Sequence, residues 1–178
     1  MSFFERNNWK FEKIESLLKK MKERKQEDIL EELEQFVGCG EGLTPSGDDI
    51  LIGFVSFLFK VEQTRNKKFE EELEKMVERI IQEKRTTLIS ESYLLSCVRG
   101  NFSRPLHCLF HLLLNEEDAI RESKQTESRE SDEIRVNRWK SWKVEQVVQL
   151  FLEHGASSGV DTLLGIILSI QFTFRIIK

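Results

Sequence analysis

The chain has 178 residues, a length that suits one domain with a sizeable core. Its formal net charge of −4 gives no reason to expect nucleic acid or an anionic membrane surface as a partner. Cys39, Cys97 and Cys108 have irregular spacing, so they indicate reduced cytoplasmic thiols and argue against a disulfide framework or a cysteine zinc site. The beginning of the sequence lacks a secretory leader pattern, and neither long apolar run is typical of a membrane span.

Helical periodicity dominates the sequence, which predicts a mainly α fold in a single domain over residues 1–178. Apolar residues recur at helical spacing from Trp9 to Met21, and a second stripe runs from Ile29 to Val37. Glycines at positions 38, 40 and 42 then break the pattern. Further helices are predicted at about Ser46–Lys60, Phe69–Gln82, Ser90–Arg99, Arg104–Leu114, Lys143–Glu153 and Ser158–Arg175.

Residues 115–138 carry many charged and small polar side chains and few large apolar ones. This composition predicts an exposed helix or a partly disordered connection. Basic residues alternate with tryptophans from Arg135 to Lys143, a pattern that can bind nucleic acid. An amphipathic helix start that packs its tryptophans is the favoured interpretation.

Two segments share the pattern S-G-x-D-x-L-x-G. The first is Ser46–Gly53 and the second is Ser158–Gly165, and a long apolar helix follows each. Such a recurrence indicates an internal repeat. It predicts two buried, glycine-containing central helices, within residues 37–60 and 152–175.

The acids in these segments suit the first turn of a helix. With Ser46 and Ser158 as N-caps, Asp49 and Asp161 occupy the N3 position of a capping box. Thr44 as N-cap with Pro45 at N1 is an alternative start for the first helix. Capping accounts for one acid in each helix and leaves Asp48 unexplained.

The glycines indicate a close approach between the two central helices. Asp49 and Gly53 are four residues apart, as are Asp161 and Gly165, so each pair shares one helix face. Glycine inside a helix costs about 1 kcal/mol relative to alanine, so its repetition suggests contact with a backbone or a ligand. The helices are expected to cross near the glycines, with Asp48, Asp49 and Asp161 bordering one pocket.

Such a pocket supports two kinds of chemistry. Amide groups at helix N-termini bind anions. Clustered carboxylates bind Mg²⁺ or a substrate cation, or act in acid–base catalysis with shifted pKa values. Asp48, Asp49 and Asp161 are therefore the candidate catalytic residues and the candidate metal ligands. A purely structural role for these acids stays open as the alternative.

The segment Arg85–Ser90 lies between the two repeats. Arg85 offers a bidentate donor for a carboxylate or phosphate, while Thr86, Thr87 and Ser90 can cap the helix that follows. A surface arginine beside an ordinary helix cap is the alternative interpretation.

Together, these segments resemble a bacterial family of putative carboxylases that includes a subunit of oxamate carbamoyltransferase. The resemblance covers roughly residues 38–169 and implies a cytoplasmic protein of purine or amide nitrogen metabolism, with hetero-subunits or a homodimer as its assembly. The positions that carry it are Gly42, Thr44, Pro45, Ser46, Gly47, Asp48, Asp49, Gly53, Arg85, Thr86, Thr87, Ser90, Ser158, Gly159, Asp161 and Gly165.

Two functional hypotheses follow. In the first, the chain is an enzyme or enzyme subunit that binds carbamoyl phosphate or an oxamate-like anion, with Mg²⁺ as a cofactor option. Its candidate substrate-binding residues are Thr44, Ser46, Gly47, Arg85, Thr86, Thr87, Ser90, Ser158 and Gly159. In the second, the chain is a non-catalytic structural or regulatory subunit. A Mg²⁺-dependent hydrolase, similar to the all-α ADP-ribose hydrolases, is a further alternative.

Overall fold

The computed structural model describes residues 3–61, 67–114, 143–153 and 157–176, and the connection predicted at 115–138 lies outside them. The mainly α prediction is confirmed, because the described residues form eight helices and no strand. The helices are α1 (Phe3–Glu23), α2 (Gln26–Glu34), α3 (Ser46–Val61), α4 (Lys67–Gln82), α5 (Leu88–Val98), α6 (Arg104–Leu113), α7 (Val144–Leu152) and α8 (Ser158–Ile176). No helix in these ranges is both long and apolar enough to cross a membrane.

Helix α3 forms the centre of the fold. Its residues from Gly47 to Leu58 are all buried, as expected for a helix that is apolar on every side. It packs most extensively against α8, and α5 covers another of its faces. Helix α4 is amphipathic and buries one stripe in the same core. That stripe consists of Phe69, Leu73, Met76, Val77 and Ile80.

The two central helices approach each other at Gly53 and Gly165. A Cβ atom on Gly53 would lie 2.0 Å from the carbonyl oxygen of Thr162, and one on Gly165 would lie 1.9 Å from that of Ile50. Neither distance leaves room for a methyl group, so both positions require glycine at this helix spacing. The contact is reciprocal, since each glycine faces a carbonyl of the other helix.

Aromatic side chains fill the space beside this crossing. Phe172 of α8 lies between Phe69 of α4 and Phe54 of α3, with ring centroids 4.7 Å and 5.7 Å away. A second cluster joins α3 to α6, where Phe57 meets Phe110 at 5.9 Å in an edge-on arrangement. These contacts join α3 to α8 and α6, and α8 to α4.

The second helix is shorter than the sequence predicts. Helix α2 ends at Glu34, and residues 35–38 form turns in place of the expected continuation to Val37. Phe36 is nonetheless fully buried, so the apolar stripe continues through a non-helical turn. Gly38, Gly40 and Gly42 then adopt positive φ angles in the loop that leads into α3.

Candidate functional site

A cavity of about 550 Å³ lies at the first turns of α3 and α8. Its polar lining residues are Thr44, Asp49, Ser96, Asn101, Ser103, Ser158 and Thr162. Its other lining residues are Leu43, Ile52, Ile89, Tyr93, Cys97, Phe102, Pro105, Leu106, Phe151 and Gly159. Among these described lining residues, Asp49 is the one acid, and there is no lysine, arginine or histidine.

Asp49 is a buried carboxyl group with a raised pKa. Only 5% of the residue is exposed, and its Oδ2 atom has no hydrogen-bond partner among the described residues. The pKa of Asp49 is raised from 3.8 to about 7, chiefly by burial and also by the nearby charges of Asp161 and Asp48, whereas hydrogen bonds with the Ser158 and Thr44 hydroxyls lower it. Near neutral pH this group is therefore divided between its acid and its carboxylate forms.

The two repeated segments meet at this cavity. Thr44 precedes α3 and Ser158 begins α8, and their hydroxyl oxygens lie 3.0 Å apart. Both side chains line the cavity together with Asp49 and Gly159. The structure thus brings these four sequence-predicted site residues together.

The glycines that follow the two serines have a shared packing role. A Cβ atom on Gly47 would lie 1.9 Å from the carbonyl oxygen of Phe36, and one on Gly159 would lie 1.6 Å from that of Phe151. Each helix therefore begins in direct contact with the backbone of a preceding segment. This packing fixes the position of both N-termini around the cavity.

Asp48 does not line the cavity. It is fully buried, and its Oδ1 accepts a hydrogen bond of 2.8 Å from the Gly38 amide. Its Oδ2 accepts a hydrogen bond from the Thr86 hydroxyl. Both oxygens hold the glycine loop and the α4–α5 connection against α3, so Asp48 has a structural role in this geometry.

Asp161 is engaged by a cation from the first helix. Lys10 places its Nζ atom 2.7 Å from Oδ1 and 3.0 Å from Oδ2, and the carboxylate is almost completely buried. Asp48 and Asp161 therefore already have protein partners, and the metal site formed by Asp48, Asp49 and Asp161 stays a prediction. In the described parts of the chain, no cluster of three or more His, Cys, Asp or Glu residues could hold a metal ion.

Arg85 lies outside the cavity. Its guanidinium group donates a hydrogen bond to Glu34, which also accepts one of 2.6 Å from Arg79. The expected role of Arg85 as an anion donor in the site is therefore not supported. The pairing joins α2 to α4 and the segment that follows α4.

The threonines and serine after Arg85 organise the start of α5. Thr87 is its N-cap, since the hydroxyl accepts a 3.2 Å hydrogen bond from the Ser90 amide. The same hydroxyl group lies 2.6 Å from the Leu43 carbonyl oxygen, to which it donates. Thr86 contacts Asp48 as described, and Ser90 is completely buried. None of the three lines the cavity, although Thr87 holds Leu43 at its edge.

The capping boxes predicted at the two repeats are wrong. Helix α3 begins at Ser46, and the Pro45 carbonyl accepts bonds from the amides of Asp48 and Asp49. The Ser157 carbonyl accepts the corresponding bond from Asp161. Both helices therefore start one residue earlier than the capping-box prediction requires, and the acids contact other segments.

The first turn of α3 also has little capacity to bind an anion. The Gly47 amide donates a 2.8 Å hydrogen bond to the Cys39 carbonyl, and the next two amides bond to Pro45. Ser46 packs against Gly40, and neither Ser46 nor Gly47 lines the cavity. The expectation that the α3 N-terminus holds a substrate anion is not supported.

Sequence reasoning missed Lys10 and most of the apolar residues that line the cavity. Lys10 follows Trp9 in an ordinary amphipathic helix, and its partner lies 151 positions away. Tyr93 lies on α5, Phe102 in the connection before α6, and Phe151 on α7. No local signal marks these residues, because only the tertiary packing brings them to one cavity.

A family model described as oxamate carbamoyltransferase subunit AllH matches residues 36–131 of the chain. The match begins in the turn after α2 and includes Asp49 and the whole of α3 to α6. Neither the curated proteins nor the solved structures gave a significant match.

Proposed function

The chain belongs to the oxamate carbamoyltransferase subunit AllH family, and on that premise we propose that its cavity binds the carbamoyl group of a substrate at Asp49. The observation that carries the proposal is the buried Asp49 carboxyl group, which lines the cavity and has one oxygen without a partner among the described residues. A buried polar atom of this kind costs free energy unless a bound molecule satisfies it.

Carbamoyl phosphate and oxamate share a primary amide group, in which N–H donors lie beside a carbonyl acceptor. A carboxylate accepts hydrogen bonds from such N–H groups, and a protonated carboxyl group can both donate and accept. Asp49, with a pKa of about 7, is available in both forms at neutral pH. Asp49 can therefore form hydrogen bonds with a carbamoyl group in both its protonated and its carboxylate form.

Carbamoyl transfer to an amide nitrogen also needs proton removal. As the nitrogen of an oxamate-like acceptor bonds to the carbamoyl carbon, the bond from that carbon to the donor's leaving oxygen breaks. The nitrogen then loses a proton, which the Asp49 carboxylate is suited to accept. A general base works best with a pKa near the working pH, and burial gives Asp49 that value.

The described lining of the cavity contains no cationic side chain, so neutral polar groups have to hold the anionic end of the substrate. Thr44, Ser158, Asn101 and Ser103 offer hydroxyl and amide groups there. Recognition in this chain thus depends more on the carbamoyl end than on the negative charge. Other subunits of the enzyme are the proposed source of the remaining charged groups, with a homodimer as the alternative assembly.

Titration calorimetry tests the proposal with oxamate, carbamoyl phosphate and oxalate, which lacks the N–H group. We expect the first two to bind and oxalate to bind at least about tenfold more weakly, a difference of about 1.4 kcal/mol. Asp49→Leu should abolish binding because it removes both oxygens but keeps the bulk of the side chain. Glu41→Gln, in the exposed loop before α3, is the matched control and should bind like the wild type.

A non-catalytic structural or regulatory subunit is the second candidate. It is favoured by Asp48 and Asp161, which serve as contacts between segments. Under this alternative no ligand binds, and Asp49→Leu changes only the free energy of unfolding. Equal binding of oxamate and oxalate, or unchanged binding by Asp49→Leu, would rule out recognition of the carbamoyl group by Asp49. A cytoplasmic location stays a prediction from the cysteine pattern.

A further inference from the structure

The cavity is much larger than the small substrates in the family description require. Its volume of about 550 Å³ lies within the range of about 300–1,000 Å³ that is typical of sites for drug-sized ligands. Oxamate has only a few heavy atoms and would occupy a small part of it. The remaining space needs either a larger molecule or many water molecules.

The lining includes a polar group of side chains and a group of apolar ones, here called the apolar wall. Asp49 belongs to the polar group, which also includes the bonded hydroxyls of Thr44 and Ser158. The apolar wall includes Phe102 and Leu106, which begin the α6 region, and Phe151 from α7. Phe102 is held in place by Phe110, since their rings meet edge-on at 5.4 Å.

Tyr93 and Ile89 lie one helical turn apart on α5 at the edge of the cavity. They are 49% and 41% exposed, although both have large apolar side chains. Leu43 is also at this edge and is 75% exposed. An apolar group bound in the cavity would remove part of this surface from water, which contributes roughly 25 cal/mol for each Å² that is buried.

We propose that this cavity takes carbamoyl compounds with an aromatic or branched apolar body, such as substituted ureas, with the carbamoyl end at Asp49 and the body against Tyr93, Phe102 and Phe151. This assignment rests on the proposed function, because it uses the same contact between Asp49 and the carbamoyl group. It extends that function to a substrate class larger than oxamate. In a transfer reaction, such a urea forms when an apolar amine nitrogen bonds to the carbamoyl carbon of carbamoyl phosphate, the bond from that carbon to the phosphate oxygen breaks, phosphate leaves, and the nitrogen loses a proton.

Three probes test the contributions of the carbamoyl end and the apolar body separately. Phenylurea has the carbamoyl end and the apolar body, oxamate has the amide without the body, and benzoate has the body without an N–H group. We expect phenylurea to bind the wild-type chain at least about tenfold more tightly than oxamate, and benzoate to bind more weakly than both. Titration calorimetry measures all three at neutral pH.

Tyr93→Ala tests the apolar wall without disturbing the core, because half of the tyrosine is exposed. It should weaken phenylurea binding about fivefold or more and leave oxamate binding unchanged. Leu113→Ala is the matched control, since Leu113 is similarly exposed at 43% and does not line the cavity. It should bind both probes like the wild type.

The outcomes distinguish this inference from the proposed function. If oxamate binds at least as tightly as phenylurea, or if Tyr93→Ala weakens both equally, the larger substrate class is wrong and the function at Asp49 stands. If phenylurea binds and Asp49→Leu abolishes its binding while oxamate does not bind, the larger class is supported and oxamate is excluded for this chain. If neither binds, both proposals fail.

Discussion

Lys10 of α1 forms an ion pair with Asp161 at the start of α8, in which both carboxylate oxygens lie within 3.0 Å of the ammonium nitrogen. The pair ties the first helix to one of the two central helices. Asp161 also contributes to the raised pKa of Asp49, so the charges around the cavity are coupled. Lys10 therefore stabilises the surroundings of the site from a distant part of the sequence.

Replacing Lys10 should be costly. Lys10→Met leaves the buried Asp161 carboxylate unpaired, and we expect it to lower the free energy of unfolding by about 3 kcal/mol. The double variant Lys10→Met with Asp161→Asn should recover most of this loss, because no buried charge remains. Urea denaturation of the two single variants and the double variant measures the coupling energy. Additive effects would contradict the pairing, and Lys19→Met, at an exposed position, serves as the control.

The stability of the protein should depend on the protonation of Asp49. Its pKa is higher in the folded protein than the ordinary value of 3.8, so the folded state binds more protons between about pH 4 and pH 7. The contribution of this group to stability is therefore present at low pH and is lost as the pH rises toward 7. The loss has an upper bound of roughly 4 kcal/mol.

Asp49→Asn removes this dependence. The difference in unfolding free energy between this variant and the wild type should grow from about pH 4 to pH 7 and stay constant above it. The groups facing Asp49 are Asp161 with Lys10, Asp48 with Thr86, and Cys97, and all of them are present in both proteins. A constant difference across this range would show that the pKa of Asp49 is not raised.

The crossing of α3 and α8 should not tolerate a methyl group. Gly53→Ala or Gly165→Ala places a Cβ atom about 2 Å from a backbone oxygen, which forces the helices apart. We expect each to cost at least about 3 kcal/mol, well above the gain of about 1 kcal/mol from helix propensity. Gly100→Ala is the control, because no atom of the described residues lies within 4 Å of the added Cβ and only the positive φ opposes the substitution, at about 1 kcal/mol. Equal thermal stabilities of the three variants would contradict the crossing.

Asp48 should be important for stability and not for ligand binding. Asp48→Ala leaves the Gly38 amide and the Thr86 hydroxyl without their acceptor, which should cost about 2–3 kcal/mol. Thr86→Val removes one of the two hydrogen bonds and should cost about 1 kcal/mol. Chemical denaturation checks both values, and oxamate titration of the folded Thr86→Val variant should match the wild type. A large change in affinity would place Asp48 in the binding site.

The parts of the site that the sequence predicts well depend on local signals. The bounds of α3 follow from the glycine loop before it and the apolar run within it. Gly53 and Gly165 stand out because glycine is unfavourable inside a helix. Asp49 on α3, Thr44 just before α3 and Ser158 on α8 share one cavity because the two helices cross.

The errors arise where the partner of a charged group is distant in sequence. Arg85 is an attractive anion donor beside two threonines, yet it pairs with Glu34, which is 51 positions away. Asp161 repeats the sequence context of Asp49 and still pairs with Lys10. A short motif specifies which groups are present, whereas the choice among possible partners is made by the packing of whole helices.

The central helix pair also has a consequence for the time course of folding. Thr44 and Ser158, which border the crossing, are 114 positions apart, so the pair closes a long chain loop before its contacts form. A ribosome that has completed α1 to α6 has made α3 but not α8, the described helix that packs most extensively against it. Until α8 emerges, the nascent chain presents α3 to chaperones and to other unfolded chains. The order of synthesis, more than the final packing energy, then determines how long the growing protein is prone to aggregate.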